Sequence, residues 1–425
     1  MKKFDPAAYL AGLNINEMRF GLEAVTALLE RFGTPQNALR TILVGGTNGK
    51  GSTAALIASV LKEEGYRVGL YTSPHLVDVR ERIVIGGKKI PLKEFSSILA
   101  RIRDEAPLPV TYFEVLTAAA LIYFQSRRVD IAVMEVGLGG RLDATNVCRP
   151  EVSIITNIGL EHTNYLGKTI ASIAAEKAGI IRPGGVCITG ASQNKALEVI
   201  SSVCRRNRAK LYRLGHDFKI VRRGEREADY PGIKRRIKAL RLSLRGFHQW
   251  SNAALALATL EILHEKGFAV TDRAVGRGLE KTRWEARLEI LNRHPLFILD
   301  GAHNPPGVAA LLRALEYDYP GRRPILIFAA LTDKDYRRML QKIVPRAAAV
   351  ILPPLKSERA VSTGELAGIV KSLGGKALVV PGVRQAVAAA FSQAGEDDMI
   401  LAAGSLYLAG EIKQSFPQTS SCDKA

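Results

Sequence analysis

The chain has 425 residues, 47% of them hydrophobic and 24% charged, which is typical of a globular protein of two or three domains. Its formal charge of +19 favours an anionic ligand such as a nucleotide, a polyglutamate or a nucleic acid. The longest apolar stretches, such as residues 115–124, are too short to cross a bilayer. An early acid, Asp5, with no apolar region after it leads us to expect no signal sequence. Four widely spaced cysteines form no CxxC pair, so we expect a cytoplasmic protein without zinc or disulfides.

The N-terminal part alternates short apolar runs with helical patterns. We predict strands at 41–44, 67–72, 131–136, 153–156 and 186–189, and helices at 53–64, 113–127 and 170–178. Apolar strands that alternate with helices indicate a doubly wound, mostly parallel sheet with both faces covered.

The same pattern restarts after Arg293 on a smaller scale. We predict strands at 296–299, 324–329, 350–352, 377–380 and 399–402, and helices at 307–316, 363–373 and 384–393. This indicates a second, Rossmann-like α/β domain, with the boundary between residues 287 and 294. The expected domains are therefore residues 1–288 and 289–425.

Positive charge is concentrated in residues 205–245, which hold fifteen Lys and Arg residues against four acids. A turn signal, Asp-Tyr-Pro-Gly, begins at Asp229. We expect exposed hairpins and a loop on a domain edge. The segment shows neither the interleaving of aromatic residues with charges nor a motif typical of nucleic-acid binding, so the pattern disfavours a nucleic-acid partner.

The first predicted strand is followed by a glycine-rich segment, Gly-Gly-Thr-Asn-Gly-Lys-Gly-Ser-Thr, at residues 45–53. Glycines let the backbone curl around phosphate oxygens, and the helix that follows adds N–H donors and a positive dipole end. Lys50 can reach the β- and γ-phosphates, while Ser52 or Thr53 can cap the helix or approach a metal. We therefore predict a phosphate-binding loop with ATP contacts from Asn48, Gly49, Lys50, Gly51 and Ser52.

Three segments that follow strands carry candidate metal ligands, at residues 72–75, 134–146 and 156–162. The carboxyl ends of parallel strands meet at one ligand crevice. Glu135 ends an otherwise apolar strand, where a bare carboxylate would be costly if it were buried and where a metal would neutralise it. The alternative is a solvated glutamate at the end of a strand.

The variant loop Gly-Thr-Asn-Gly-Lys-Gly-Ser resembles that of the Mur ligase superfamily, and its ending is similar to the folylpolyglutamate synthase and dihydrofolate synthase branch. Residues 135–146 are similar to the signature of that branch, and the resemblance extends over residues 19–413. It implies a monomeric ligase that uses ATP and Mg²⁺ to add L-glutamate to dihydropteroate, to reduced folates or to both, through an acyl phosphate.

The resemblance also implies roles for single residues of the first domain. Ser73, Glu135 and His162 match magnesium ligands, and Asp143 matches a functionally important acid. Lys177 matches a lysine that is carbamylated and organises a second metal. Without the resemblance, His162 could be a capping or core residue, and Lys177 a cation that favours the helix dipole.

Nucleotide and glutamate contacts are implied further along the chain. Asn252 lies in an element similar to the family's His-Gln-x-x-Asn-Ala-Ala, and Arg287 in Trp-Glu-Ala-Arg-Leu-Glu, where the family carries Trp-Pro-Gly-Arg-Leu-Glu. Asp300 matches a nucleotide contact, and His303 and Ser405 match positions linked to glutamate. The alternatives are helix capping for Asn252 and simple turn chemistry for residues 300–305.

Two elements resemble pterin contacts of the family. One consists of Thr111, Tyr112, Phe113 and Glu114, whose rings could stack on a pterin or pack in the core. The other consists of Arg19, Phe20, Gly21 and Leu22.

Two other functions remain open from the residues. One is a cell-wall Mur ligase that adds an amino acid to a UDP-linked acid, against which Gly51 argues, as does a phosphate loop that starts within the first fifty residues. The other is a non-catalytic nucleotide or RNA binder that uses the basic segment. Binding alone does not need the complete set of ATP and metal residues, which argues against this alternative.

Overall fold

A computed structural model describes residues 4–13, 21–224 and 226–416. The described chain forms two compact units. The first contains the described residues up to 74 together with 80–243 and 248–283, and the second contains 75–79, 244–247 and 284–416.

The first unit is built on a mostly parallel eight-stranded sheet with the order β4-β3-β2-β5-β1-β6-β7-β8. Only the pairs β2–β3 and β3–β4 are antiparallel. The strands are β1 (Thr41–Gly45), β2 (Val68–Tyr71), β3 (Ile83–Ile85), β4 (Lys88–Lys89), β5 (Ile131–Glu135), β6 (Pro150–Ile155), β7 (Val186–Thr189) and β8 (Lys210–Arg213). The carboxyl ends of β1, β2, β5 and β6 therefore lie on one edge, as the sequence predicts.

Apolar helices pack on this sheet and define its buried faces. A Cβ at Gly69 would lie 2.9 Å from the ring of Phe124, and one at Gly278 would lie 2.5 Å from Val60 Cα. Both glycines therefore permit close packing onto neighbouring elements. The helices are α1 (Pro6–Gly12), α2 (Glu23–Arg31), α3 (Lys50–Glu63), α4 (Leu92–Glu105), α5 (Tyr112–Ser126), α6 (Thr163–Leu166), α7 (Ile170–Ala178), α8 (Asn194–Arg206), α9 (Phe247–Glu265) and α10 (Asp272–Lys281). Short 3₁₀ turns occupy Pro35–Asn37, Val79–Arg82 and Ala144–Val147.

A small antiparallel sheet in the first unit consists of β9 (Val221–Arg222), β10 (Glu227–Pro231) and β11 (Arg236–Arg241). It is anchored by Glu261, a buried residue of α9. The Glu261 carboxylate accepts hydrogen bonds from the Tyr230 hydroxyl at 2.6 Å and from the backbone N–H groups of Ile233, Lys234 and Arg235 at 3.0, 2.8 and 2.9 Å. These four donors compensate the cost of burying the carboxylate.

The predicted character of the basic segment is thus only partly right. Hairpin strands are present, but the segment also includes the end of α8 and the strand β8, which extends the main parallel sheet. The charge pattern could not predict the strand β8, because its composition is not typical of a buried strand and only its pairing with β7 defines it.

The second unit contains a six-stranded sheet with the order β12-β13-β17-β14-β15-β16, parallel except for the pair β12–β13. Its strands are β12 (Glu289–Arg293), β13 (Leu296–Leu299), β14 (Ile325–Phe328), β15 (Ala349–Leu352), β16 (Ala377–Val379) and β17 (Met399–Ala403). Its helices are α11 (Pro305–Asp318), α12 (Tyr336–Ile343), α13 (Thr363–Ser372), α14 (Val383–Gln393) and α15 (Leu406–Ser415), with a 3₁₀ turn at Val344–Arg346.

Side chains of this second sheet alternate between two apolar cores. On β13, Leu296 and Ile298 face a core shared with α11 to α13, whereas Phe297 and Leu299 face a core shared with α14 and α15. Both faces are covered, so the predicted Rossmann-like α/β architecture is confirmed.

The strands at 186–189 and 296–299 and the helix at 170–178 have the predicted bounds. The helix after the glycine-rich segment begins at Lys50 rather than at residue 53, because Gly49 is left-handed (φ 83°) and starts the helix directly. Among the described residues, no helix combines the length and hydrophobicity needed to cross a bilayer.

The anchor of the small sheet gives a stability prediction. Glu261→Gln replaces an acceptor oxygen with an N–H₂ group that faces other donors, so we expect a loss of about 2–4 kcal/mol in the free energy of unfolding. The matched control is Glu265→Gln on the same helix, which removes only an exposed ion pair with Lys234. Urea unfolding of both variants tests this; equal midpoints would show that the buried carboxylate does not anchor the sheet.

Candidate active site

The glycine-rich segment leaves the end of β1 and passes close to the end of β6. A Cβ at Gly46 (φ 134°) would lie 1.9 Å from Thr156 Oγ1, and one at Gly49 (φ 83°) would lie 2.3 Å from Asn252 Oδ1. Neither position can hold a side chain without moving its neighbour. The glycines are therefore required by close approach as well as by backbone conformation.

Hydrogen bonds attach the loop to the segment after β6. The Thr47 and Asn48 amides donate to Asn157 O and Asn157 Oδ1, both at 3.0 Å. The Thr156 hydroxyl and the Asn157 side-chain amide donate to Asn48 O at 2.7 and 3.0 Å. The Gly159 amide donates to Thr47 Oγ1 at 3.0 Å. The loop is thus preorganised by protein contacts.

Lys50, Ser52 and Thr53 lie in the first turn of α3. Lys50 Nζ donates to Thr47 O at 3.3 Å, so its ammonium group lies over the loop. Of the two roles considered for Ser52 or Thr53, helix capping is excluded, because the cap position is Gly49 and no side chain caps it. Both hydroxyl residues are buried, and Thr53 Oγ1 has no hydrogen-bond partner among the described residues.

Asn252 lies at the sixth residue of α9, which excludes the alternative of an N-terminal cap. Its side chain is buried against Gly49, and its Nδ2 donates to Gln249 Oε1 at 2.8 Å. Gln249 is also buried, and its Nε2 lacks a hydrogen-bond partner in the described chain. Gln249 was not among the predicted site residues, although the i, i+3 spacing of two amides on one helix face is a signal that could have identified it.

Two of the three predicted magnesium ligands are in direct contact. Glu135 is 4% exposed, which excludes the alternative of a solvated strand-end carboxylate. Its Oε2 accepts the backbone N–H of Ser73 at 3.0 Å, so the segments after β2 and β5 meet. His162 is left-handed (φ 51°) and precedes α6, with Nε2 3.6 Å from Glu161 Oε1.

Lys177 is in the last turn of α7, as the sequence predicts, but it is buried rather than solvated. Its Nζ donates to Gly46 O at 2.8 Å, which places a second ammonium group at the phosphate loop. Burial, reinforced by the nearby Lys50 charge, lowers the pKa of Lys177 to about 7. The buried amine of Lys177 is therefore easier to deprotonate than the amine of a solvated lysine.

Asp143 is buried and precedes the 3₁₀ turn Ala144–Val147. Its carboxylate accepts the backbone N–H groups of Leu138 at 2.9 Å and Thr145 at 3.0 Å, and the Thr145 hydroxyl at 2.6 Å. Burial raises the pKa of Asp143, although these hydrogen bonds oppose the shift. Asp143 thereby fixes the turn after β5, beside the end of the strand that carries Glu135.

Of the two predicted pterin-binding elements, the structure describes all of residues 111–114 but only part of residues 19–22. Thr111 and Glu114 form a capping box at the start of α5, with Thr111 N to Glu114 Oε2 at 2.7 Å. Tyr112 is buried beneath the Arg82 guanidinium, whereas Phe113 is partly exposed and packs on Gly137. Of the two rings, Phe113 is therefore the more accessible. Gly21 and Leu22 precede α2, but Arg19 and Phe20 lie outside the described residues.

In the second unit, Asp300 follows β13 and is hydrogen-bonded to the turn before β12 that carries Arg287. Asp300 accepts the backbone N–H of Leu288 at 2.8 Å and of Ala302 at 2.8 Å. Arg287 Nη1 donates to Ala286 O at 2.7 Å, and a Cβ at Gly301 would lie 2.4 Å from that nitrogen. Gly301 thus provides the space for the guanidinium group.

His303 and Ser405 follow the neighbouring strands β13 and β17. His303 Nδ1 lies 2.9 Å from Gly301 O. Ser405 is the N-cap of α15, with the Tyr407 amide donating to its hydroxyl at 3.1 Å, and Gly404 N donates to Ala302 O at 2.9 Å. The turn-chemistry alternative holds for Asn304, whose side chain caps α11 through Gly307 N at 2.8 Å.

The arrangement in the first unit fits a nucleotide with Mg²⁺. The Lys50 ammonium group and a helix N-terminus at the loop suit phosphate oxygens, and the orphaned Thr53 and Gln249 atoms can bond to a polar ligand. The described residues contain no group of three or more His, Cys, Asp or Glu side chains suited to a metal. This is compatible with Mg²⁺, which uses one or two protein ligands together with phosphates and water.

Comparisons with known proteins agree with the fold. Residues 44–260 match the Mur ligase middle domain, and residues 286–406 match the Mur ligase glutamate ligase domain. The chain therefore has the domain composition of a Mur ligase.

Curated relatives define the branch. The dihydrofolate synthase/folylpolyglutamate synthase of Bacillus subtilis is 35% identical over 93% of this chain and 94% of that protein. The folylpolyglutamate synthase of Lacticaseibacillus casei is 36% identical over 92% of this chain and 93% of that protein. Escherichia coli FolC, solved in complex with DHPP and ADP, superposes with a TM-score of 0.88 at 31% identity, covering 96% of this chain and 95% of that one.

The chain belongs to the dihydrofolate synthase/folylpolyglutamate synthase family. It is accordingly an ATP-dependent ligase whose cofactors are ATP and Mg²⁺.

The close approach at Gly46 gives a binding prediction. In Gly46→Ala the new methyl group must displace Thr156 and break its bond to Asn48 O, so we expect ATP affinity to fall on the order of 100-fold, equivalent to about 2.7 kcal/mol. Gly65→Ala is the matched control, because Gly65 also has a positive φ (105°) but has open space around it. Calorimetric titration with ATP checks both; equal losses would contradict the contact with Thr156.

Proposed function

We propose that this ligase joins L-glutamate by an amide bond to both dihydropteroate and reduced folates. The observation that carries the proposal is the preorganised phosphate loop with Lys50 and Lys177 over it, in a chain of this family. The two relatives described above, one bifunctional and one a folylpolyglutamate synthase, are almost equally similar to the chain. The choice of acceptor therefore rests on Thr111–Glu114, with Phe113 as the stacking ring.

Residues 1–288 would carry the ATP and folate sites. The loop residues Asn48 to Ser52 bind phosphate oxygens, and Asn252 contacts the nucleotide. Ser73, Glu135 and His162 would hold Mg²⁺, which supplies positive charge that offsets the negative charge of the phosphates. The hydrogen bond from Ser73 N to the Glu135 carboxylate supports this set of magnesium ligands, because it joins two of the three segments that carry them.

Residues 289–425, with Arg287 just before them, would carry the remaining contacts. Arg287 suits phosphate oxygens because its donors form a planar fork. Asp300 orients the turn through two backbone amides and would contact the nucleotide. His303 and Ser405 lie at the carboxyl ends of adjacent strands, where they would bind the incoming glutamate.

The proposed reaction has two steps. An oxygen of the acceptor carboxylate attacks the γ-phosphorus of ATP, so that an acyl phosphate forms and ADP leaves. The neutral amine of glutamate then attacks the acyl carbon, losing a proton, and inorganic phosphate leaves with the electrons of the C–O bond. Activation is necessary because a carboxylate is a poor acyl donor, and the chain contributes positioning and charge stabilisation.

Lys177 would act as a carbamate. Its neutral amine can add CO₂ and release one proton, which converts a cation into an oxygen ligand suited to Mg²⁺. Burial and a pKa of about 7 support this role, since only the neutral amine reacts.

The carbamate has a pH dependence that can be measured. We expect a carbamate signal in ¹³C NMR with labelled bicarbonate, absent in Lys177→Arg. The signal should decrease as the pH falls through about 7, because Lys177 becomes protonated. The pKa of Lys177 is lowered relative to the unfolded chain, so its contribution to stability should also improve as the pH rises above about 7. A wild-type spectrum equal to that of Lys177→Arg would contradict the carbamate.

We also propose that the enzyme is a cytoplasmic monomer and that its basic segment does not bind nucleic acid. Cys148, Cys187 and Cys204 are buried free thiols, which suits a reducing compartment. In the basic segment, Arg213, Arg223, Lys234 and Arg235 each pair with an acidic residue, which favours a solvated charged surface.

The test of the proposed function is ADP release from Mg-ATP and L-glutamate, with dihydropteroate and tetrahydrofolate as separate acceptors. Turnover with both is the expected result. Turnover with tetrahydrofolate alone would contradict the dihydropteroate assignment of Thr111–Glu114. A folded enzyme that binds ATP but turns over neither acceptor would contradict the folate assignment.

A further inference from the structure

The turn that carries Arg287 has an unusual backbone. Ala286 and Leu288, on either side of the arginine, are both left-handed, with φ of 52° and 47°. Neither is glycine, so sterics oppose both conformations. The surrounding contacts must therefore hold this turn in place.

Three backbone hydrogen bonds hold it. Ala286 N donates to Glu289 Oε2 at 2.7 Å, Leu288 N donates to Asp300 Oδ2 at 2.8 Å, and Gly301 N donates to Ala286 O at 2.8 Å. Two of the three acceptors are carboxylates. The position of the Arg287 backbone thus depends on where the Glu289 and Asp300 side chains are fixed.

Glu289 is fixed by Lys413 of α15. Lys413 Nζ donates to Glu289 Oε1 at 2.7 Å and lies 3.1 Å from Glu285 Oε1. The Lys413 side chain is only 9% exposed. Its burial lowers the pKa of Lys413, but the two glutamates outweigh this and raise it overall, so the ammonium form persists.

One partner of Lys413, Glu285, lies where this chain departs from the family pattern that the resemblance implies. Glu285 and Ala286 occupy the places of the family's Pro-Gly. Glycine tolerates a left-handed backbone and proline restricts φ, and this chain has neither residue. It has instead a carboxylate at 285 within ion-pair distance of a buried lysine.

We propose that Lys413 is a positioning residue for Arg287, acting through Glu289 and Glu285. The ion pairs of Lys413 hold the left-handed turn and so set the direction in which the guanidinium group is presented. The inference rests on the proposed role of Arg287 in binding ATP phosphates. Lys413 itself touches neither Arg287 nor the reacting atoms in this assignment.

The competing explanation is that Lys413 only attaches α15 to the start of β12. That role predicts a lower free energy of unfolding without a selective change in the KM for ATP. The positioning role predicts a specific increase in the KM for ATP, because a small displacement of a binding group weakens its contacts strongly.

The experiment compares Lys413→Met with Lys413→Arg and measures separate KM values for ATP and glutamate. We expect Lys413→Met to raise the KM for ATP on the order of tenfold and to leave the KM for glutamate nearly unchanged. Lys413→Arg keeps the charge and should recover most of the loss. Arg337→Met is the control, since it removes an ion pair with Glu365 elsewhere in the second unit.

A rescue variant separates positioning from attachment. Glu285→Pro with Ala286→Gly, introduced into Lys413→Met, should lower the KM for ATP again, because it rebuilds the turn without restoring the lysine. An unchanged KM for ATP in folded Lys413→Met, or a loss that the double substitution does not correct, overturns the proposal. Arg287→Ala tests the proposed role of Arg287 separately. If this variant leaves the KM for ATP unchanged, Arg287 does not bind the ATP phosphates.

Discussion

The close contact between Gly46 and Thr156 is the constraint on which the first unit's site depends. Because Gly46 has no side chain, the loop after β1 lies directly against the segment after β6, and the Thr156 hydroxyl bonds to Asn48 O. The carbonyl groups of Gly46 and Thr47 then accept the Lys177 and Lys50 ammonium groups. Burial, reinforced by the nearby Lys50 charge, lowers the pKa of Lys177. The Lys50 ammonium group and the loop amides form a site suited to a polyanion.

In the second unit, too, a glycine permits a close contact that positions a cationic side chain. Gly301 leaves room for the Arg287 guanidinium, and the Asp300 carboxylate accepts one backbone N–H from the turn before β12 and one from the segment after β13. Burying Asp300 is compensated because its oxygens accept N–H donors. In the second unit, side-chain carboxylates accept hydrogen bonds from the backbone around Arg287. In the first unit, backbone carbonyl groups accept hydrogen bonds from the lysine side chains.

Periodicity and loop chemistry predicted much of the architecture. Apolar strands followed by glycine-rich or polar turns located both sheets and the strand ends that carry Glu135 and Asp300. Tertiary features were not predictable. The anchoring role of Glu261 depends on a turn about thirty residues away, the orphaned amide of Gln249 depends on its packing, and the left-handed Ala286 has no local sequence signal. Assigned roles also depend on contacts that a motif cannot show, as with Phe113, which is partly exposed beside the buried Tyr112.

The central claim is that the acceptor carboxylate is activated by phosphoryl transfer from ATP at this loop. The most direct test uses an acceptor whose carboxylate is labelled with oxygen-18 and follows the label during turnover with L-glutamate. An acyl-phosphate route predicts that one labelled oxygen passes from the carboxylate into inorganic phosphate for each amide formed. Inorganic phosphate without label, with amide formation intact, would contradict the account.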